Sequence, residues 1–135
     1  DLGIGFVPYS PLGRGFLTGQ ISSRDDLPED DYRRNDPRYS EENFALNMKL
    51  VDVVKIVAER HHCSPAQIAL AWLMAQGDFI VPIPGSKRRA TLEDSMAAVD
   101  IELNEADLDE LETAAPVGGT AGLRYGDRMM SMVRL

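Results

Sequence analysis

The sequence predicts an α/β fold in which two parallel strands are joined by helices packed outside them. Three observations predict it. Two short apolar runs, GIGFVPY at residues 3–9 and FIVPIP at residues 79–84, have the length and β-forming content of buried strands. Each run leads at once into a turn rich in Gly, Ser and Pro. Between them lie two stretches of helical periodicity, and a strand–helix–strand crossover makes its strands parallel.

The first run is unbroken by charge and reads as a strand buried on both faces. The segment Ser10-Pro11-Leu12-Gly13-Arg14-Gly15 cannot continue it. Residues 21–40 carry Asp25, Asp26, Glu29, Asp30, Asp31, Arg33 and Arg34 among prolines, with no periodicity, and read as a long surface loop. Ser40 then caps a helix whose first turn is acidic, Glu41-Glu42. Leu46, Leu50, Val53, Val54 and Val57 give that helix one apolar face to about residue 60.

Ser64-Pro65-Ala66-Gln67 starts a second helix, with Ser64 as N-cap, Pro65 at the first position and Gln67 closing a capping box. Residues 65–76 are almost wholly apolar, so this helix belongs against a sheet. Gly77 ends it before the second strand. Gly85-Ser86-Lys87-Arg88-Arg89 turns into a third helix over residues 90–99, and Asn104 caps a fourth over residues 105–114. Residues 116–135 form a tail whose late Met residues are expected to pack against the body of the whole domain rather than form a protein-binding patch. Two parallel strands leave both sheet edges open, so the remaining strands are expected from an N-terminal part of the same polypeptide. The start, Asp1-Leu2-Gly3-Ile4, has neither an initiator Met nor the pattern of a signal peptide.

The composition narrows the function classes. In 135 residues, 22 Asp and Glu stand against 14 Lys and Arg, a net charge of −8. This balance argues against nucleic-acid binding by phosphate neutralisation and against adhesion to an anionic membrane. No apolar stretch is long enough to span a bilayer. The single cysteine, Cys63, gives no internal disulfide and suits a reducing, cytoplasmic setting.

Ligands of parallel α/β proteins bind at the carboxyl ends of strands, and here both following turns suit an anion. The first offers Ser10, Gly13, Gly15 and Arg14; the second offers Gly85 and Ser86 at a helix start, then Lys87-Arg88-Arg89. Free N–H groups at a helix start favour phosphate. The competing reading of the basic triplet is a solvated face. His61-His62-Cys63 lacks the further ligands of a metal site and reads as a structural helix–helix turn. Trp72 reads as core, and Asp30-Asp31 as solvated carboxylates rather than a catalytic pair.

Three segments, GIGFVPYSPLGRGFLTG (residues 3–19), SPAQIALAWLMAQ (64–76) and VPIPGSKRRATLED (81–94), resemble the C-terminal part of the aldo-keto reductases in content and order. The resemblance covers essentially the whole chain, residues 1–135, as part of one barrel domain. It implies an eight-stranded (β/α) TIM barrel of about 250 residues, of which this chain would supply strands seven and eight with their helices. It also implies NADP(H) as cofactor and a small-molecule carbonyl substrate reduced to an alcohol. Tyr9, Ser10, Pro11, Leu12 and Arg14 would line the nicotinamide and pyrophosphate, with Gln20 in the loop over the pyrophosphate. Gly85, Ser86, Lys87 and Arg88 would hold the adenosine 2′-phosphate, with Thr91, Asp94 and Ser95 around ribose and adenine. Ser95 departs from the Asn of many relatives, and one hydroxyl cannot make the paired bonds of an amide.

The family's catalytic Tyr, Lys, Asp and His lie in the N-terminal half of the barrel. None of Tyr9, Tyr32, Tyr39, Tyr125, His61 or His62 sits in the matching motif, so no catalytic residue and no metal ligand is assigned to this chain. A rival reading is a non-catalytic nucleotide-binding regulatory subunit on the same fold, for which the loops carry no docking motif. A truncated product that binds partners without catalysis would have to tolerate exposed strand edges.

Overall fold

The computed structural model describes residues 2–133. The two apolar runs meet in parallel, as expected, but only through two isolated bridges, Phe6 with Ile80 and Tyr9 with Ile83. Phe6 N–H donates to the Phe79 carbonyl at 2.7 Å, and Val81 N–H to the Phe6 carbonyl at 2.9 Å. The next donor in this register is residue 8, a proline without an N–H, so the ladder is interrupted there. Burial on both faces is not found. Phe6 is 57% exposed and Ile83 51%, because no further strand flanks either run among the described residues.

The rest is mainly helical. Helix α1 (Glu41–Arg60) is capped by Ser40, whose hydroxyl accepts from Asn43 N–H at 3.3 Å. Its buried stripe is Phe44, Asn47, Val51, Val54, Val57 and Ala58. The expected face is therefore rotated: Leu46 points largely to solvent, and Phe44 and Val51 turn inward instead. Helix α2 (Pro65–Ala75) carries the expected capping box of Ser64 and Gln67 and buries Ala66, Ile68, Ala69, Leu70 and Ala71. Helix α3 (Arg89–Met96) tightens into a 3₁₀ turn over Ala97–Asp100, which together replace the single expected helix. Helix α4 (Glu105–Ala114) has Asn104 as N-cap, and a short α5 (Asp127–Met130) lies in the tail.

Helix α1 packs against α2 and α4, and α2 against α3. One apolar cluster joins Val54, Val57 and Ala58 of α1 to Ile68 of α2 and Leu111 of α4, with Trp72 against its edge. At the α1–α4 junction Asp107 is fully buried. Its carboxylate accepts from Arg60 and from His61 Nε2 at 2.8 Å, which gives His61 the structural role expected of it. Burial raises the pKa of Asp107, but the hydrogen bonds of His61, Asn104 and Arg60 outweigh it and hold the carboxyl below its usual range. Burial pushes the Cys63 thiol up.

The segment over residues 21–40 is more ordered than its composition suggests. It folds into three 3₁₀ turns, Arg24–Asp26, Tyr32–Asn35 and Pro37–Tyr39. Two charges of that run, Asp26 and Asp31, serve as caps, together with Ser23 and Asp36. The segment buries Leu27 and Tyr39 in a second cluster with Phe16, Ile21, Phe44 and Val51. Phe16 meets Tyr39 edge-on, with ring centroids 5.2 Å apart.

Met129 is 50% exposed and Met132 68% within this chain. What fastens the tail is buried Asn47, whose side chain donates to the Ala121 carbonyl at 2.9 Å and accepts from Ala121 N–H at 2.8 Å.

Candidate functional site

The Tyr9–Ile83 bridge decides where the two following turns lie. Parallel register sets residues 10–15 beside residues 84–88, and an open groove of about 510 Å³ runs between them. Its walls include Ser10, Pro11, Leu12, Arg14, Gln20, Gly85, Arg88 and Thr91. A second depression of about 330 Å³ continues it past Leu12, Gln20, Arg88 and Thr91 to Asp94 and Ser95. Residues from both ends of the sequence pattern thus share one surface.

The first turn is built from left-handed backbone at Ser10, Gly13, Arg14 and Gly15. It is held from behind. Tyr39 donates its hydroxyl to the Gly13 carbonyl at 2.9 Å, and Arg33 Nη1 donates to the Arg14 carbonyl at 3.0 Å. Burial pushes Tyr39 up to about 12, so it stays a neutral donor. The Arg14 guanidinium pairs with buried Asp36 and lies 5.8 Å from the Tyr32 ring centroid. Its charge is matched inside the protein.

At the second turn Arg88 is the N-cap of α3, and no side chain caps that helix, so its first amides are free. A Cβ on Gly85 would meet nothing within 4 Å, so its backbone is open to approach. Arg89 pairs with Glu93 at 2.7 Å, whereas Lys87 and Arg88 form no ion pair among the described residues. Both are exposed. Ser86 and Lys87 do not reach the groove wall; the Ser86 hydroxyl donates to the Arg88 carbonyl at 2.8 Å.

Three other expected residues have further engagements. Asp94 accepts from Ser64 Oγ and from Gln67 Nε2, each at 3.0 Å, tying α3 to the start of α2. Ser95 is buried at the depression's edge. Tyr9 lies apart from the main groove, in a small adjoining cavity with Arg38 and Arg124, where the Tyr125 hydroxyl bond lowers its pKa.

Sequence reasoning missed Thr18, Ile21, Leu27, Tyr32 and Arg33, which also line the groove. The signal was the regular recurrence of Ser or Asp two to three residues ahead of Arg and Asp within residues 21–40. Asp31 shows its force: the Arg33 guanidinium holds its pKa at about 2. No group of three metal-capable side chains exists among the described residues. No helix among them is long and apolar enough to cross a membrane.

Residues 1–116 match the model of the aldo/keto reductase family. The chain belongs to that family. Aldo-keto reductase yakc of Schizosaccharomyces pombe, whose name specifies NADP(+), is 47% identical over 122 residues, 90% of this chain and 36% of that protein. Probable aldo-keto reductase 1 of Glycine max is 41% identical over 125 residues, covering 93% and 36%. Aldo-keto reductase str7 of Strobilurus tenacellus is 38% identical over 138 residues, covering 100% and 41%. This aldo-keto reductase chain therefore spans well under half the length of these relatives. Among solved structures, the thermostable aldo-keto reductase Tm1743 in complex with the inhibitor epalrestat matches with a TM-score of 0.51 at 25% identity. The match covers 82% of this chain and 30% of that one, so the described helices form part of an aldo-keto reductase fold.

Proposed function

We propose that this chain is the cofactor-holding C-terminal portion of an NADP(H)-dependent reductase of aldehydes and ketones. Residues 1–135 would be one portion of a single barrel, with the remaining strands on a preceding stretch of the polypeptide. The observation that carries the reading is the juxtaposition of the Ser10–Arg14 and Gly85–Thr91 turns across one groove, set by the Tyr9–Ile83 register.

The donor set fits the cofactor. Ser10, Gln20, Arg88 and Thr91 all line the groove, and hydroxyl, amide and guanidinium groups are the donors a dinucleotide's phosphates and sugars need. Uncapped amides at α3 and the unpaired charges of Lys87 and Arg88 suit a 2′-phosphate. Arg14, neutralised by Asp36, is better placed to shape the first turn than to supply free charge to the pyrophosphate. Asp94 and Ser95 would border the adenosine end, Asp94 mainly through its grip on α2. Tyr9 would flank the nicotinamide end.

When bound, NADP(H) supplies the hydride; the residues of this chain bind, orient and charge-match it. The half-exposed apolar runs, with Phe6, Val81 and Ile83 to solvent, are the faces that neighbouring barrel strands would cover. The test is NADPH consumption at 340 nm with a reactive aldehyde. The longer polypeptide carrying this chain is expected to turn over, and the 135-residue chain alone is not, because no proton donor lies in the matching motif. Turnover by the short chain, or none by the long one, would contradict the reading.

A further inference from the structure

The run Lys87-Arg88-Arg89-Ala90-Thr91-Leu92 carries more than the cofactor reading uses. Two arginines stand three and two residues ahead of a hydroxyl, a small residue intervenes, and an apolar residue follows. Protein kinases that select basic substrates read this spacing, because acidic pockets hold the arginines while the hydroxyl reaches ATP. Arg89 has no part in the cofactor site, and its exposed pair with Glu93 is too weak to withhold it from a partner. Lys87 and Arg88 are exposed and form no ion pair among the described residues.

The local structure leaves the hydroxyl reachable. Thr91 is the third residue of α3 and only partly buried, and no residue over 85–93 is buried. Arg88 is still extended, at φ −125° and ψ 139°. The side-chain hydrogen bonds of this turn run from Ser86 to the Arg88 carbonyl and from Arg89 to Glu93; none engages the Thr91 hydroxyl among the described residues. A kinase takes its substrate extended, so the first turn of α3 has to open. That breaks the bond from Leu92 N–H to the Arg88 carbonyl, 3.1 Å, and uncovers no apolar core. The neighbouring hydroxyls do not qualify: Ser86 follows Ile83-Pro84-Gly85 rather than arginines, and Ser95 is buried.

Position gives a modification there a consequence. Thr91 and Arg88 both line the groove of about 510 Å³ and the depression of about 330 Å³, so they stand where the two spaces join. In the reductase reading the cofactor crosses this junction between its pyrophosphate and its adenosine. A phosphoryl group on Thr91 would bring about two negative charges to a helix start whose first amides no side chain caps, with Arg88 beside it. We propose that Thr91 is the acceptor of a protein kinase of basic specificity, and that its phosphate takes the place of the 2′-phosphate and excludes NADPH. Thr91 Oγ1 attacks the γ-phosphorus of ATP. The new O–P bond forms as the bond to the β,γ-bridging oxygen breaks, ADP leaves, and the hydroxyl proton passes to a carboxylate of the kinase. The exclusion rests on the reductase reading; the acceptor does not.

The polypeptide carrying this chain is incubated with ATP and the catalytic subunit of cyclic-AMP-dependent protein kinase, and the modified residue is located by mass spectrometry of its peptides. One phosphoryl group is expected on Thr91. Thr91→Ser should accept it, Thr91→Val should not, and Arg89→Ala should slow transfer about tenfold. No incorporation at Thr91, incorporation at other residues instead, or a rate indifferent to Arg89→Ala overturns the acceptor.

Fluorescence titration then compares the phosphorylated with the unmodified polypeptide. NADPH is expected to bind at least about tenfold more weakly after phosphorylation, with NADH changed by less than about threefold and phosphatase treatment restoring NADPH binding. Unchanged NADPH affinity, or equal losses for both cofactors, overturns the exclusion. Phosphorylation of Thr91 in a polypeptide that binds neither cofactor when unmodified would uphold the acceptor and refute the reductase reading, and the exclusion with it.

Discussion

Replacing Asp107 by Ala tests the packing of α1 against α4, the junction on which the apolar cluster of Val54, Val57, Ile68 and Leu111 depends. The carboxylate is fully buried and accepts from Arg60, from His61 at 2.8 Å and from Asn104 N–H at 3.2 Å. Hydrogen bonds to a charged group contribute about 1.5–3 kcal/mol each, but they do not add. Arg60 and His61 are partly exposed and regain water once the carboxylate is gone, and Arg60 keeps Glu110 at 2.7 Å. Taking one bond at full strength and the others as largely offset gives a loss of about 3 kcal/mol. Ala is a strong helix former, so the substitution carries no propensity penalty of its own.

Glu110→Ala is the control, since it removes a half-exposed partner of the same arginine and should cost under about 1 kcal/mol. Urea unfolding followed by Trp72 fluorescence compares the two, and a cost for Asp107→Ala equal to that of Glu110→Ala would refute the reasoning. Acid supplies a second check. The folded pKa of Asp107 lies below its ordinary value, so its contribution is complete above about pH 4 and is lost as pH falls through the folded value. The gap between wild type and Asp107→Ala should therefore shrink below about pH 4.

Three further outcomes follow from the same contacts. Asn47→Ala removes both bonds to Ala121 and should cost about 1–2 kcal/mol, with hydrogen exchange rising first at the Ala121 amide; unchanged exchange there would mean that the tail is held elsewhere. In a spectrophotometric titration, Tyr39 should ionise last, near pH 12, and Tyr39→Phe should remove that step alone. Asp31, held at about 2 by Arg33, should keep its charge until well below pH 4 in a carboxyl NMR titration, and Arg33→Ala should return it toward the ordinary carboxylate range.

Helix starts were the most legible part of the sequence. Ser40, Ser64 and Asn104 cap the helices assigned to them, because a short polar side chain before an apolar run satisfies amides that nothing else reaches. The parallel direction of the apolar runs was legible too, since a crossover connection permits little else. Their burial was not legible, because it depends on neighbouring strands rather than on the runs themselves. The turns within residues 21–40 were not legible for a different reason. Asp31 and Asp36 look solvated by composition, yet each accepts a backbone N–H two residues on and turns the chain inward, carrying Leu27 and Tyr39 into the core. At the candidate site, the motif residues marked the groove, but not the internal pairing of Arg14 with Asp36 or the second cavity behind it. Those arise from contacts between segments more than twenty residues apart, which no local pattern encodes.

In the proposed function, the turn after the second apolar run recognises the 2′-phosphate that distinguishes NADPH from NADH. Lys87 and Arg88 are exposed and unpaired among the described residues, so Lys87→Ala with Arg88→Ala should disturb the fold little. Two charge-assisted bonds at the low end, about 1.5 kcal/mol each, correspond to about 10²-fold in affinity. Fluorescence titration of NADPH and NADH against the wild-type and doubly substituted polypeptide, at one fixed salt concentration, measures this directly. About 10²-fold weaker NADPH binding is expected, with NADH nearly unchanged; equal weakening of both cofactors, or of neither, would refute recognition of the 2′-phosphate there.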